Sequence, residues 1–102
     1  MKDAAKPKPV KFDWNEGNKE KNWHKHRVDF RECEQVFFNQ PLKIFYDKKH
    51  SQKEPRFVAF GKTDKNRKLM IVFTLRVNRI RIISARNQSR KEGKIYEQKQ
   101  KN

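Results

Sequence analysis

The sequence predicts an α+β domain, a small antiparallel sheet packed with N-terminal helices and a C-terminal helix. Three observations lead there. Cap residues followed by helically spaced apolar residues occupy the stretch from Asn15 to Phe38, runs rich in β-branched and aromatic residues separated by turn residues occupy Leu42 to Ala85, and a capping box of Ser89 and Glu92 opens a final helix.

The elements follow in order. Residues 1–9 are polar and basic, hold two prolines and are expected to form a flexible arm ahead of a single domain spanning 10–102. Val10 to Trp14 suits a short strand. Asn15 can cap a helix reaching about His26, weakly apolar and rich in Lys and His. A second helix, Phe30 to Phe38, places Phe30, Cys33 and Phe37 on one face, and Pro41 lies beyond its end. Leu42 to Tyr46 reads as a strand, Asp47 to Pro55 as a polar loop, and Arg56 to Gly61 with Leu69 to Leu75 as a hairpin. Leu69-Met70-Ile71-Val72-Phe73 does not alternate, so that strand is expected to be central with both faces covered. Arg76 to Asn78 turns the chain into a strand, Arg79 to Ala85, whose alternation sets Arg79 and Arg81 on one face and Ile80 and Ile82 on the other. The sheet is expected to rest on the helices with one side open.

Charge narrows the partners. The chain has 27 Lys and Arg against 12 Asp and Glu, a net charge of +15 in 102 residues, which points to a polyanion, foremost nucleic acid. From Arg76 onward nine basic residues face two acidic ones, interleaved with isoleucines rather than gathered in a tail. One cysteine, Cys33, excludes an internal disulfide and fits a reducing cytoplasm. No apolar stretch approaches the roughly 20 residues of a membrane helix. Three glycines leave no room for a Gly-rich phosphate loop, and no tetrahedral Cys/His set is present, so neither a cofactor nor a metal is expected.

One set of residues carries a family resemblance: Trp14, Asn22, Lys25-His26, Val28, Phe30, Val36-Phe37, Pro41, Asp47, His50-Ser51, Glu54, Arg56-Phe57, Gly61, and the block Ile80-Arg81-Ile82-Ile83-Ser84-Ala85-Arg86 followed by Arg90, Glu92 and Tyr96. In these the chain resembles the BrnT-type ribonuclease toxins of bacterial type II toxin-antitoxin modules. The resemblance implies a fold similar to RelE-type microbial ribonucleases and cleavage of RNA. It also implies neutralisation by a BrnA-type antitoxin whose ribbon-helix-helix domain, not the toxin, contacts operator DNA. The chain departs from the family pattern at Trp14-Asn15-Glu16, in place of Trp-Asp-Pro, and at Lys25-His26-Arg27, in place of Lys-His-Gly. Arginine is costly in a left-handed helix-ending position, so the helix end is expected to be built differently.

Metal-free RNA cleavage needs a base for the 2′-hydroxyl, cations for the phosphorane charge and an acid for the departing 5′-oxygen. His26, His50, Glu54, Arg56 and Arg81 are the catalytic candidates, with Lys25, Arg79, Arg86 and Arg90 as phosphate binders. Imidazole suits proton exchange because its ordinary pKa is near neutrality. Each candidate also has a structural alternative: His26 as a helix cap, His50 and Glu54 as exposed loop residues or a Glu54–Arg56 surface pair, and Arg81 and Arg86 as internal partners of Glu54 or Glu92. Tyr96 and the aromatic residues Trp14, Trp23, Phe37, Phe57, Phe60 and Phe73 are assigned to packing. Two rival functions remain beside the toxin: a non-catalytic basic nucleic-acid-binding module, and a protein whose basic face docks an acidic chain.

Overall fold

The computed structural model describes residues 10–98, and the expected N-terminal arm lies outside the described residues. The elements are α1 (Glu16–His26), α2 (Phe30–Val36), β1 (Lys43–Tyr46), a 3-10 turn (Lys48–His50), β2 (Phe57–Lys62), β3 (Lys68–Arg76), β4 (Arg79–Asn87) and α3 (Arg90–Glu97). The strands form one antiparallel sheet in the order β1-β2-β3-β4, with β3 internal as its continuous apolar run predicts. No helix among the described residues is long and apolar enough to cross a membrane.

Alternation divides the sheet into two faces. Ala59, Leu69, Ile71, Phe73, Ile82 and Ala85 form one face, under Val28, Cys33 and Val36 from the α1–α2 connection and α2. On the other, Phe60 and Met70 pack against Tyr96 of α3, with Val58 and Val72 at the margin. The second face is therefore not left open as the sequence suggested. Here α3 covers the end at Phe60 and Met70, held by Tyr96 Oη donating to Pro41 O (2.7 Å) and by Lys43 Nζ donating to the carbonyls of Ile95 and Gln98.

A weakly apolar helix such as α1 needs another anchor, and asparagines supply it. Asn15 and Asn18 cap the helix reciprocally. One turn apart, the buried Asn18 and Asn22 then reach the outer edge of β4, where Asn18 Nδ2 donates to Ile82 O (3.3 Å) and Ala85 N–H donates to Asn22 Oδ1 (3.1 Å). Upstream, Ile80 N–H donates to Lys11 O and Asp13 N–H to Ile80 O. The expected strand Val10 to Trp14 thus shrinks to one parallel bridge, Phe12 to Ile80, because the chain must turn at once into the Asn15 cap.

The end of α1 corrects another expectation. Arg27 does take the left-handed conformation (φ 56°, ψ 39°), its N–H donating to Trp23 O while Val28 N–H donates to Asn22 O. Left-handed backbone costs a residue with a Cβ about 1–2 kcal/mol. Complete burial of Val28 offsets this, as does the Arg27 guanidinium over the Trp23 ring. That arrangement leaves Trp23 44% exposed, packed on Arg27 at the surface. Helix α2 stops at Val36, two residues early, and Val36 packs so close to β2 that a Cβ on Gly61 would lie 2.5 Å from Val36 Cγ1.

Strand β4 does not alternate throughout. Val72 pairs with Ser84 but Phe73 with Ile82, so Ile83 is an extra, bulged residue. The bulge decides where the cations point. Arg81 and Arg86 are five residues apart and would fall on opposite faces of a regular strand; with one residue bulged, both share the face of Met70 and Thr74, their cross-strand partners.

At the β3–β4 hairpin both turn residues, Val77 (φ 50°) and Asn78 (φ 63°), have positive φ, as a two-residue type I′ turn requires. Asparagine tolerates this; a β-branched residue does not. Because Val77 is 92% exposed and buries nothing, Val77→Asn is expected to stabilise the protein by about 1 kcal/mol, raising its melting temperature by about 4–8 °C. An unchanged or lower melting temperature would show that the turn carries no such strain.

Candidate active site

The sequence-predicted residues separate into two groups at opposite ends of the sheet. The loop between β1 and β2 brings His50, Glu54 and Arg56 together beside the ends of β3 and β4 that carry Arg76, Arg79 and Arg81. Lys25 and His26 lie elsewhere. The carbonyls of His26 and Arg27 accept from Arg67, which also bonds Asn87 Oδ1 and pairs with Glu32, so this guanidinium fastens the end of α1 to the far end of β4.

Local bonds shape the loop. Asp47 N–H donates to Arg56 O (2.8 Å), closing its neck. Ser51 Oγ donates to Asp47 O (2.6 Å) and accepts from Arg56 N–H (2.9 Å), which ties the two strands across the loop. Inside this frame Asp47 Oδ2 lies 2.9 Å from His50 Nδ1, while Asp47 Oδ1 accepts from His50 N–H. Partial desolvation works to raise the Asp47 carboxyl, but the hydrogen bond from His50, its charge and the backbone donors prevail, so the group sits below its ordinary value. An ionised Asp47 favours the tautomer with its proton on Nδ1, leaving Nε2 as an acceptor toward solvent. Asp47 was a resemblance residue without an assigned role. Its Asp-x-x-His spacing was the signal for this pair.

Glu54 pairs with Arg76, not with Arg56, through Nε to Oε2 (3.2 Å) and Nη2 to Oε1 (3.3 Å). The Arg76 hydrogen bond, its charge and those of Arg56 and Arg81 hold the Glu54 carboxyl below the ordinary glutamate range. Such a carboxylate is an acceptor and a poor proton donor at neutral pH. Sequence reasoning had placed Arg76 in a turn and missed it. Arg81, with only 19% of its side chain exposed, pairs with Asp13 at 3.5 Å. Arg56 and Arg79 have no carboxylate within 4.0 Å among the described residues. A cleft of about 320 Å³ in the loop is lined by Lys49, His50, Gln52, Lys53, Glu54 and Arg56. Across the described residues no three His, Cys, Asp or Glu side chains gather as metal ligands would.

Farther along β4, Arg86 makes a two-pronged pair with Glu92 (2.8 and 2.9 Å), the internal alternative foreseen for it, while Arg90 is exposed on α3. The Arg86 hydrogen bond lowers the Glu92 carboxyl. A carboxyl whose pKa falls on folding stabilises above its unfolded value and loses that contribution as pH drops through the folded one. Glu92→Gln is therefore expected to cost about 0.5–1 kcal/mol at pH 7, discounted because Arg86 is 37% exposed. The difference should begin to shrink as pH falls through the ordinary glutamate range, about 4, and vanish only below the lowered folded value. Denaturant titrations of both proteins at several pH values check this.

Comparisons with known proteins agree with this architecture. The family model described as "Ribonuclease toxin, BrnT, of type II toxin-antitoxin system" matches residues 14–92. The chain is similar in fold to the crystal structure of the Brucella abortus ribonuclease toxin BrnT, with a TM-score of 0.60 and 24% identity over 80% of this chain and 100% of that one. No curated protein matches it. By the extent of the family match, the chain belongs to the BrnT family of ribonuclease toxins of type II toxin-antitoxin systems.

Proposed function

We propose that the chain is a cytoplasmic, metal-independent endoribonuclease, neutralised by a BrnA-type antitoxin whose ribbon-helix-helix domain makes the contacts with operator DNA. The observation that carries the chemistry is the Asp47–His50 pair set in a polar cleft beside Arg56, Arg76, Arg79 and Arg81.

In this reading His50 Nε2 takes the proton of an RNA 2′-hydroxyl, and the oxygen attacks the adjacent phosphorus. Arg56 and Arg81 meet the charge that builds on the phosphorane oxygens, where fixed cations stabilise the transition state more than the ground state. Glu54 holds Arg76 in place rather than donating a proton. The departing 5′-oxygen takes its proton from the ammonium groups at the cleft, Lys49 and Lys53. Arg79 holds the next phosphate along the edge of the sheet. Arg86, Arg90 and Lys25 serve outlying phosphates, and His26, at the far end of α1, takes no part in the reaction.

Incubation of the purified protein with total RNA in EDTA, beside an Arg81→Ala variant, tests the proposal. Cleavage by the parent and a loss of about 10²-fold in the variant are expected, the size typical of removing one transition-state donor. RNA left intact by the parent, yet bound with an affinity that falls with log salt at about −0.7 per phosphate, would instead indicate a binding module.

A further inference from the structure

The two edges of the sheet are treated in opposite ways. On β4 four outward backbone groups, the N–H and C=O of Ile80, the C=O of Ile82 and the N–H of Ala85, meet Lys11, Asp13, Asn18 and Asn22. On β1 nothing comparable exists. Asp47 N–H donates to Arg56 O, so alternation along the register directs the backbone groups of Lys43 and Phe45 toward β2 and those of Ile44 and Tyr46 outward. Neither outward N–H nor outward C=O of Ile44 and Tyr46 has a partner among the described residues. Their side chains are exposed as well: Ile44 48%, Phe45 44% and Tyr46 57%. An unpaired edge with three consecutive exposed apolar residues is a template for another strand, and folded proteins normally blunt such an edge with charge, proline or a bulge.

From these observations we infer that the free edge of β1 is the docking strand for an acidic, extended segment of the antitoxin. This rests on the reading of the chain as a toxin held by a protein antitoxin. The backbone of Ile44 and Tyr46 supplies the ladder, as in other strand-addition complexes. Ile44 and Tyr46 share the helix-side face, where the Tyr46 ring meets Phe57 (5.6 Å), Phe57 meets Phe73 (5.3 Å) and Phe73 meets Phe37 (5.2 Å). Apolar side chains of the incoming strand at alternate positions extend this row of rings.

Charge selects the occupant. The next residues after β1 include Lys48 and Lys49, in a chain of net charge +15. A second copy paired across this edge would set Lys43, Lys48 and Lys49 of two strongly cationic chains beside one another, whereas a segment with acidic residues next to its apolar ones is drawn in. The position also explains inhibition. Tyr46 is followed directly by Asp47, so a segment lying on β1 and continuing past its end crosses the cleft of His50 and Arg56.

The test is Ile44→Pro, studied with a BrnA-type antitoxin as the binding partner. Proline at Ile44 removes an outward N–H and leaves the β1–β2 bonds of Lys43 and Phe45, a position where edge strands accept it. The expected result is antitoxin binding weakened about tenfold or more, the equivalent of one to two backbone hydrogen bonds, with RNA cleavage by the free toxin unchanged. Tyr46→Glu keeps the amide, sets a negative charge against the acidic segment and is expected to weaken binding as well. Amide exchange of Ile44 and Tyr46 should be fast in the free protein and slow in the complex. If both variants bind as the parent does and neither amide gains protection, the edge inference is overturned while the antitoxin reading stands. An antitoxin that fails to bind the parent overturns both. A toxin that self-associates alone, and becomes monomeric with Ile44→Pro, assigns the edge to a second copy and overturns the proposal.

Discussion

His50→Ala is expected to slow RNA cleavage by about 10²- to 10⁴-fold, the range for loss of a positioned proton acceptor. Stability should hardly change, within about 0.5 kcal/mol, because the ring is 60% exposed. RNA affinity should also persist, since Arg56, Arg79 and Arg81 remain. This combination separates chemistry from binding. Asp47→Asn is the companion variant: its amide can donate to Nδ1 as well as accept from it, so the productive tautomer is no longer fixed and cleavage falls although the imidazole is present. Equal rates for the parent and His50→Ala would remove the loop histidine from the mechanism and direct attention to the arginines.

The second large effect concerns what keeps those arginines in place. Asn22→Ala is expected to destabilise the protein by about 1–2 kcal/mol, because it leaves the buried Ala85 N–H on the edge of β4 without an acceptor. The penalty stays below the upper range for such groups because Asn22 Nδ2 is itself buried without a protein partner, and truncation removes that donor too. Loosening β4 should also raise amide exchange at Ala85 and its neighbours before the rest of the sheet. Denaturant midpoints and exchange rates measure both. A variant as stable as the parent would mean that α1 is held by apolar contacts alone.

The architecture was legible wherever side chains act locally. Asn15 and Ser89 both cap helices as their types suggest, and the unbroken run Leu69 to Phe73 marks an internal strand covered on both faces. What sequence spacing could not carry was tertiary choice. The bulge at Ile83 is not announced by the adjacent pair Ile82-Ile83, yet it moves Arg86 to the face of Arg81. Asn18 and Asn22 look like ordinary polar positions until β4 lies beside them. The same holds for the candidate site. Lys25-His26 and His50 through Arg56 were read as one set because a sequence has no distances, and the sheet keeps them at opposite ends. Arg76 was hidden because its partner, Glu54, is 22 residues away and had a nearer arginine, Arg56, to suggest itself.

In the proposed reaction the 2′-hydroxyl of RNA is the nucleophile and His50 its base, with no metal. The most direct measurement compares a single-stranded RNA oligonucleotide with its fully 2′-O-methylated counterpart in EDTA, followed by analysis of the product ends. The expected result is cleavage of the RNA alone, with 2′,3′-cyclic phosphate ends from the parent and hardly any product from His50→Ala. Cleavage of the methylated strand, or cleavage that appears only when a divalent cation is restored, would contradict it.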